Sequence, residues 1–163
     1  MNKLLILTAM ICLAAAAAQG QTKITGTVTC PPKPAQELAV PVGDKPGHVM
    51  SLTQDKCTWS KPFQLNGSPV KESTQVSSNE ATGNSAKGYG FDIGITASSD
   101  KYFVRYEGTS TMQNGVMVSG SGTWSFIGGT GKLSNLKGKG TYSCKGSATS
   151  SSCDIAGDYQ VAP

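Results

Sequence analysis

Several features that commonly identify an enzyme or a metal protein are missing from this sequence. Its 163 residues contain a single histidine, His48, and neither the G-x-S-x-G pattern of serine hydrolases nor a C-x-x-C pair. Charged residues make up 15% of the chain, and no basic stripe alternates with aromatic residues. No helical periodicity of useful length follows residue 20. We therefore expect no nucleic-acid partner, no metal site and no cofactor.

The first 20 residues have the composition of a secretory signal peptide. Lys3 is the one charge before an apolar run over residues 4–18, and Ala16 and Ala18 form an A-x-A cleavage pattern. The run is shorter than the ~20 residues that a membrane-spanning helix needs. We predict that residues 1–20 are removed, which leaves no membrane span and one domain over residues 21–163 in the periplasm or outside the cell.

The cysteines support the same compartment. Cys12 leaves with the leader, and Cys30, Cys57, Cys144 and Cys153 remain. An even number of cysteines in an exported chain predicts disulfides, although four cysteines allow three pairings. The turn-rich loop between Cys144 and Cys153 favours a hairpin that joins these two, which leaves Cys30 with Cys57. A tetrathiolate metal site is the alternative, but the spacing does not favour it.

The mature chain alternates with period two along most of its length. This pattern predicts strands over residues 22–30, 37–42, 48–53, 57–65, 88–96, 101–109, 116–126, 138–145 and 154–161. The polar stretch 66–87 is predicted to be a flexible loop with at most one exposed strand. With 20 glycines in the whole chain, many on strand faces, the pattern favours an all-β fold: an antiparallel Gly-rich β-barrel of about eight to ten strands. A two-sheet β-sandwich is the alternative.

One segment resembles a known family. Residues 121–142 resemble the late strands of the allene oxide cyclase and dirigent barrels through Gly128, Gly129, Thr130 and Gly131. Further points of comparison are Lys132 at the family's basic position and Lys137-Gly138 where dirigents have Arg-Gly, whereas Ser134 and Asn135 depart from the dirigent pattern. The resemblance implies a barrel, and an isomerase, cyclase or stereo-directing activity in an oligomer. The family's pocket acids have no counterpart that the motif identifies.

Four polar residues are the candidates for catalysis: Asp92, Arg105, Glu107 and His48. Arg105 and Glu107 lie two apart on a strand and point the same way, so they are either a polar anchor inside a barrel or a surface ion pair. The opposite face of that strand is the more apolar one, which favours the surface. Asp92 on the preceding strand can join either arrangement. An ordinary surface histidine is the favoured interpretation of His48.

The large aromatic residues on strands are candidates for a ligand pocket or for a core: Trp59, Tyr102, Tyr106, Trp124, Phe126 and Tyr142. Glycines on the strand faces favour an internal space. The first functional hypothesis is a secreted or periplasmic barrel that binds a small apolar molecule. The second is an isomerase or stereo-directing enzyme, and the third is an envelope-associated interaction protein with an exposed apolar patch.

Overall fold

The computed structural model of the chain describes residues 21–162, so the predicted signal peptide lies outside the described residues. Among the residues described, the strands are β1 (Thr22–Cys30), β2 (Gln36–Pro41), β3 (His48–Lys61), β4 (Gln64–Leu65), β5 (Ser68–Thr82), β6 (Ser85–Thr96), β7 (Lys101–Gln113), β8 (Val116–Gly129), β9 (Leu136–Gly146) and β10 (Ser151–Val161). A short 3-10 helix, Gly131–Leu133, connects β8 to β9. In this part of the chain no helix is long and apolar enough to cross a membrane.

Eight of the strands close into an antiparallel barrel. Their order is β1, β10, β9, β8, β7, β6, β5 and β3, and β3 pairs back with β1. The two remaining strands lie outside this ring: β2 extends the sheet beside the first half of β3, and β4 pairs with the start of β5. The prediction of an all-β barrel is confirmed, and the sandwich alternative is wrong because closure leaves one continuous sheet.

The polar stretch 66–87 is the part of the fold that the sequence prediction got wrong. It contains all of β5 and the start of β6, and β5 is hydrogen-bonded to β3 on one side and to β6 on the other. Its backbone groups are therefore satisfied by two neighbours, which makes an apolar face unnecessary for strand formation. The predicted strand 48–53 and the first part of the predicted strand 57–65 likewise form one strand, β3, which ends before Pro62, while residues 64–65 form β4.

Strand β6 places its glycines inside the barrel and its apolar residues outside. Gly90 and Gly94 are buried, whereas Tyr89, Phe91 and Ile93 are 43% to 49% exposed. A Cβ atom on Gly94 would overlap the ring of Tyr102, and one on Gly90 would overlap the ring of Tyr106. The large rings of β7 therefore decide which face of β6 is turned inward.

The core fills one end of the barrel. At this end β4 and the 3-10 helix cover the interior. The buried side chains there include Ile24, Phe63, Leu65, Val70, Leu133, Leu136 and Tyr159. The other end carries the hairpins β5–β6, β7–β8 and β9–β10. Asn114 and Gly115 form the β7–β8 turn with positive φ angles of 52° and 75°, as the Asn-Gly pair predicts.

Two disulfides join neighbouring strands toward this second end. Cys30–Cys57 links β1 to β3, and Cys144–Cys153 links β9 to β10. We call them the β1–β3 disulfide and the β9–β10 disulfide. The predicted pairing is confirmed, since each pair lies at opposed positions of adjacent strands, where the Cβ atoms approach each other. The disulfides are consistent with an oxidising compartment.

Candidate functional site

The barrel contains an internal cavity of about 250 Å³ between the filled end and the hairpin end. All eight barrel strands contribute residues to its lining. A small barrel is often filled by its own side chains, so the remaining space shows that this one is not completely packed. Its lining divides into an aromatic wall and a polar wall.

The aromatic wall consists of seven rings: Trp59, Phe63, Tyr102, Tyr106, Trp124, Phe126 and Tyr142. Four of the contacts between these rings are edge to face, and the two that Phe63 makes with Tyr102 and Phe126 are tilted. The centroids of Tyr102 and Phe126 lie 6.0 Å apart, and those of Tyr106 and Tyr142 lie 6.3 Å apart. This geometry holds the rings in place and leaves part of their surface turned to the cavity. All five residues predicted to bind a ligand (Tyr102, Tyr106, Trp124, Phe126 and Tyr142) thus line the cavity.

The tyrosine hydroxyls stay protonated in this wall. Burial raises the pKa of Tyr102 and of Tyr106, and the nearby Asp92 carboxylate raises both further. Burial also raises the pKa of Tyr142. Trp59 Nε1 donates a hydrogen bond of 3.1 Å to the Tyr102 hydroxyl oxygen, which fixes both side chains. Neutral phenols are hydrogen-bond donors and acceptors, so the tyrosine hydroxyls are polar groups in an otherwise apolar wall.

The polar wall comes from β3 and β5. Asp55, Gln75 and Asn79 line the cavity, and Asn79 is held by a hydrogen bond of 3.0 Å from its Nδ2 to Ser77 Oγ. Ser77 Oγ in turn lies 2.7 Å from Thr53 Oγ1. Sequence reasoning missed these residues because β5 has polar side chains on both faces. The alternation of Ser73, Gln75, Ser77 and Asn79 was the available signal, but no apolar contrast marked it.

Of the two acids that line the cavity, Asp92 is the buried one. Its side chain lines the cavity and is only 6% exposed, and its Oδ1 has no hydrogen-bond partner. Burial raises the pKa of Asp92 from 3.8 to about 7. The neighbouring Ser73 offsets part of this rise, although its hydroxyl makes no hydrogen bond of good geometry. Asp92 therefore changes between acid and carboxylate near neutral pH.

The other catalytic candidates lie outside the barrel. Arg105 and Glu107 are exposed on the outer face of β7. His48 is also on the outer side, where Asp44 contacts its Nδ1 and Glu80 lies 3.1 Å from its Nε2. The contact with His48 lowers the pKa of Asp44, while Lys87 first and His48 second lower the pKa of Glu80. These four candidates thus separate, with Asp92 alone inside the cavity.

The Gly-Gly-Thr-Gly motif lies at the filled end. Gly128 and Gly129 end β8, and Thr130 Oγ1 accepts a hydrogen bond of 2.9 Å from the Lys101 amide. Gly131 has a φ of 54° and starts the 3-10 helix that brings the buried Leu133 into the core. None of the four residues lines the cavity. In this chain the motif closes the barrel and does not contact the candidate site.

An apolar patch covers part of the outer surface. We define the outer patch as seven exposed residues of β2, β3 and β6: Leu38, Val40, Met50, Leu52, Tyr89, Phe91 and Ile93. Leu38 pairs with Leu52 across β2 and β3, and the small Ser78 connects Leu52 to Tyr89. Isolated apolar residues are normal on a surface, whereas a connected group of this kind is typical of an interaction site.

Comparison with known proteins leaves the family open. No family model matches the sequence, and no curated protein matches it significantly. Among solved structures, a chain titled "Pyocyanin demethylase" is similar with a TM-score of 0.44 and 18% sequence identity, and the alignment covers 82% of this chain and 99% of the other. A similarity at this level carries no argument about activity.

Proposed function

We propose that this protein is an exported β-barrel that binds a small, largely apolar molecule inside the barrel. The observation that carries the proposal is the cavity of about 250 Å³ beside seven aromatic rings. Its volume lies just below the range of about 300–1,000 Å³ that is usual for small-molecule sites. We therefore expect a compact ligand of up to about three rings. Export is supported by the signal-like leader and by the two disulfides.

The binding test uses N-phenyl-1-naphthylamine, an uncharged fluorescent probe. Both tryptophans of the chain, Trp59 and Trp124, line the cavity, so a probe inside the barrel should quench their fluorescence while its own emission rises. We expect saturable binding of one probe per chain in the oxidised protein. A linear, unsaturable signal would contradict the proposal.

A matched pair of variants tests whether the probe binds inside or outside the barrel. Ala86 faces the cavity from β6, whereas Ala156 is exposed on β10. Ala86→Phe should fill part of the cavity and weaken probe binding at least about tenfold, because the new ring takes space that the ligand needs. Ala156→Phe adds the same ring outside and should leave binding unchanged. Equal binding by both variants would place the probe elsewhere.

An isomerase or cyclase of the allene oxide cyclase and dirigent type is the second candidate. It is supported by Asp92, a buried carboxyl in the cavity with a pKa of about 7, which suits general acid–base catalysis at neutral pH. Arg105 and Glu107 are too exposed to share this role. The candidate would be supported if the wild type rearranges a bound substrate and Asp92→Asn binds the probe but no longer catalyses the rearrangement. Binding without any turnover would exclude it.

An interaction role is the third candidate, and the outer patch supports it. We propose a second copy of this chain as the partner, because β2 pairs only with β3 in the described chain and leaves one strand edge free. Antiparallel pairing of two β2 edges would satisfy both edges and bury Leu38 and Val40 of each copy. Sedimentation should show a dimer that Leu38→Lys dissociates and that Thr123→Lys, on the exposed face of β8, does not. A wild-type monomer at all concentrations would refute this role.

A further inference from the structure

The cavity contains acids without a basic partner. Asp92 and Asp55 both line it. Lys87 is the one basic residue along the described lining, but its ammonium group is 3.2 Å from Glu80 on the outer surface, and its side chain is 69% exposed. A buried carboxylate without a partner is costly, because the interior replaces none of the interactions it has with water. The interior therefore has room for one positive charge that the protein does not supply.

The rings beside Asp92 also suit a cation. The faces of tryptophan and tyrosine rings carry partial negative charge and attract ammonium groups, most strongly when water is excluded. Trp59, Tyr106 and Trp124 line the same cavity as Asp92. The tyrosines remain neutral, since burial keeps their protons bound, so the carboxyl group is the principal site of charge. An anionic ligand would meet this carboxylate with no cation to offset it.

We propose that the cavity selects organic amines, in which a small aromatic or apolar body carries a protonated amine that Asp92 binds. This proposal rests on the proposed function and specifies its ligand class. The rings hold the body of the ligand and the carboxylate of Asp92 accepts the hydrogen bond of the ammonium group. The polar wall, with Gln75 and Asn79, can accept the remaining N–H donors.

The test compares three ligands with one naphthalene body: 1-naphthylmethylamine, 1-naphthalenemethanol and 1-naphthoate. Each displaces N-phenyl-1-naphthylamine from the oxidised, mature protein. We expect the amine to bind at least tenfold more tightly than the alcohol, which corresponds to one good charge-assisted contact, and we expect no displacement by the naphthoate. Equal affinity of amine and alcohol would overturn the amine proposal while leaving ligand binding intact. If the probe itself does not bind, the proposed function fails.

Two variants separate a contact from a change in folding. Asp92→Asn should remove the preference for the amine and keep the affinity for the alcohol, because the cavity shape is nearly unchanged. Glu107→Gln, on the exposed face of β7, removes one negative charge at the surface and should preserve the tenfold preference. A preference that survives in Asp92→Asn, or that is lost in Glu107→Gln, would assign the selectivity to general surface charge and overturn the role of Asp92.

A pH series gives an independent readout. The other titratable groups that line the cavity with Asp92 are Asp55, Lys87, Tyr102, Tyr106 and Tyr142. Below about pH 7 a proton occupies Asp92 in the free protein and must leave when an ammonium group binds. Amine affinity should therefore fall as the pH is lowered from 8 to 5.5, by up to about tenfold per pH unit, while alcohol affinity stays constant. A pH-independent amine affinity would contradict the contact.

Discussion

Replacing Asp92 with asparagine should stabilise the protein at and above neutral pH. Burial raises the pKa of this carboxyl from 3.8 to about 7, a change of about three units. At about 1.4 kcal/mol per unit, the charged form lowers the free energy of unfolding by about 4 kcal/mol relative to the neutral form. The Oδ1 atom has no hydrogen-bond partner, so an amide of the same shape loses little there.

The direction of the pH dependence follows from proton binding. Between pH 4 and pH 7 the folded chain keeps a proton on Asp92 that the unfolded chain has lost, so the free energy of unfolding falls as the pH rises. Below pH 4 both states are protonated and the effect disappears; above pH 7 it is complete. The wild type should therefore lose stability across this range through Asp92, and Asp92→Asn should lack that loss.

Urea unfolding of the disulfide-intact protein at pH 4, 6 and 8 measures the effect. The difference between Asp92→Asn and the wild type should be small at pH 4 and reach up to about 4 kcal/mol at pH 8, with similar m-values. Glu107→Gln is the control for loss of an exposed acid and should change the profile little. If the two variants have the same pH profile, burial does not raise the pKa of Asp92. Retention of so costly an acid is expected where it serves a ligand.

Three further stability predictions follow from other parts of the fold. Removing the β1–β3 disulfide, whose cysteines are 27 residues apart, should lower the free energy of unfolding by about 3.5 kcal/mol. Removing the β9–β10 disulfide, with a separation of 9, should lower it by about 2.5 kcal/mol, because the shorter loop restricts the unfolded chain less. Guanidinium unfolding that reverses this order would contradict the dependence on loop length. Gly94→Ala should cost about 1–3 kcal/mol because its Cβ meets the Tyr102 ring, whereas Gly120→Ala, with no atom nearer than 3.3 Å, should cost less in thermal unfolding. Leu65→Ala should lower the free energy of unfolding by about 2–5 kcal/mol, because Leu65 is buried at the filled end. Probe affinity should not change, since Leu65 does not line the cavity. A large loss of affinity would show that the two ends are coupled.

The strands were predictable wherever apolar and small residues alternate. Strand β1 has the predicted bounds, and β7 begins at the predicted residue. The Asn-Gly turn and the β9–β10 disulfide were predictable because both depend on short-range geometry, whereas the β1–β3 disulfide was expected only as the remaining pair. Strand β5 was not, since its residues are polar on both faces and no apolar alternation marks its hydrogen-bonded pairing with β3 and β6.

The candidate site was only partly predictable for the same reason. The aromatic residues could be assigned to strand faces, but period two does not say which face is inside. On β6 the apolar face is outside, and Asp92 shares the inner face with Gly90 and Gly94. The sequence allowed Asp92, Arg105 and Glu107 to share one site, but closure of the barrel turns Asp92 inward and the other two outward. The side chains of β5 that complete the polar wall were missed.

By itself, the sequence determined the all-β class, the strands with alternating patterns and the preference for a Cys144–Cys153 hairpin pair, because each depends on local periodicity or on nearby turns. The tertiary structure decided the rest. The pairing of β3 with both β1 and β5 closes the sheet into a barrel. The rings of Tyr102 and Tyr106 occupy the space beside Gly94 and Gly90, so the glycine face of β6 is the one that faces inward. Burial then gives Asp92 its high pKa, a property that no single strand carries, because desolvation requires surrounding strands.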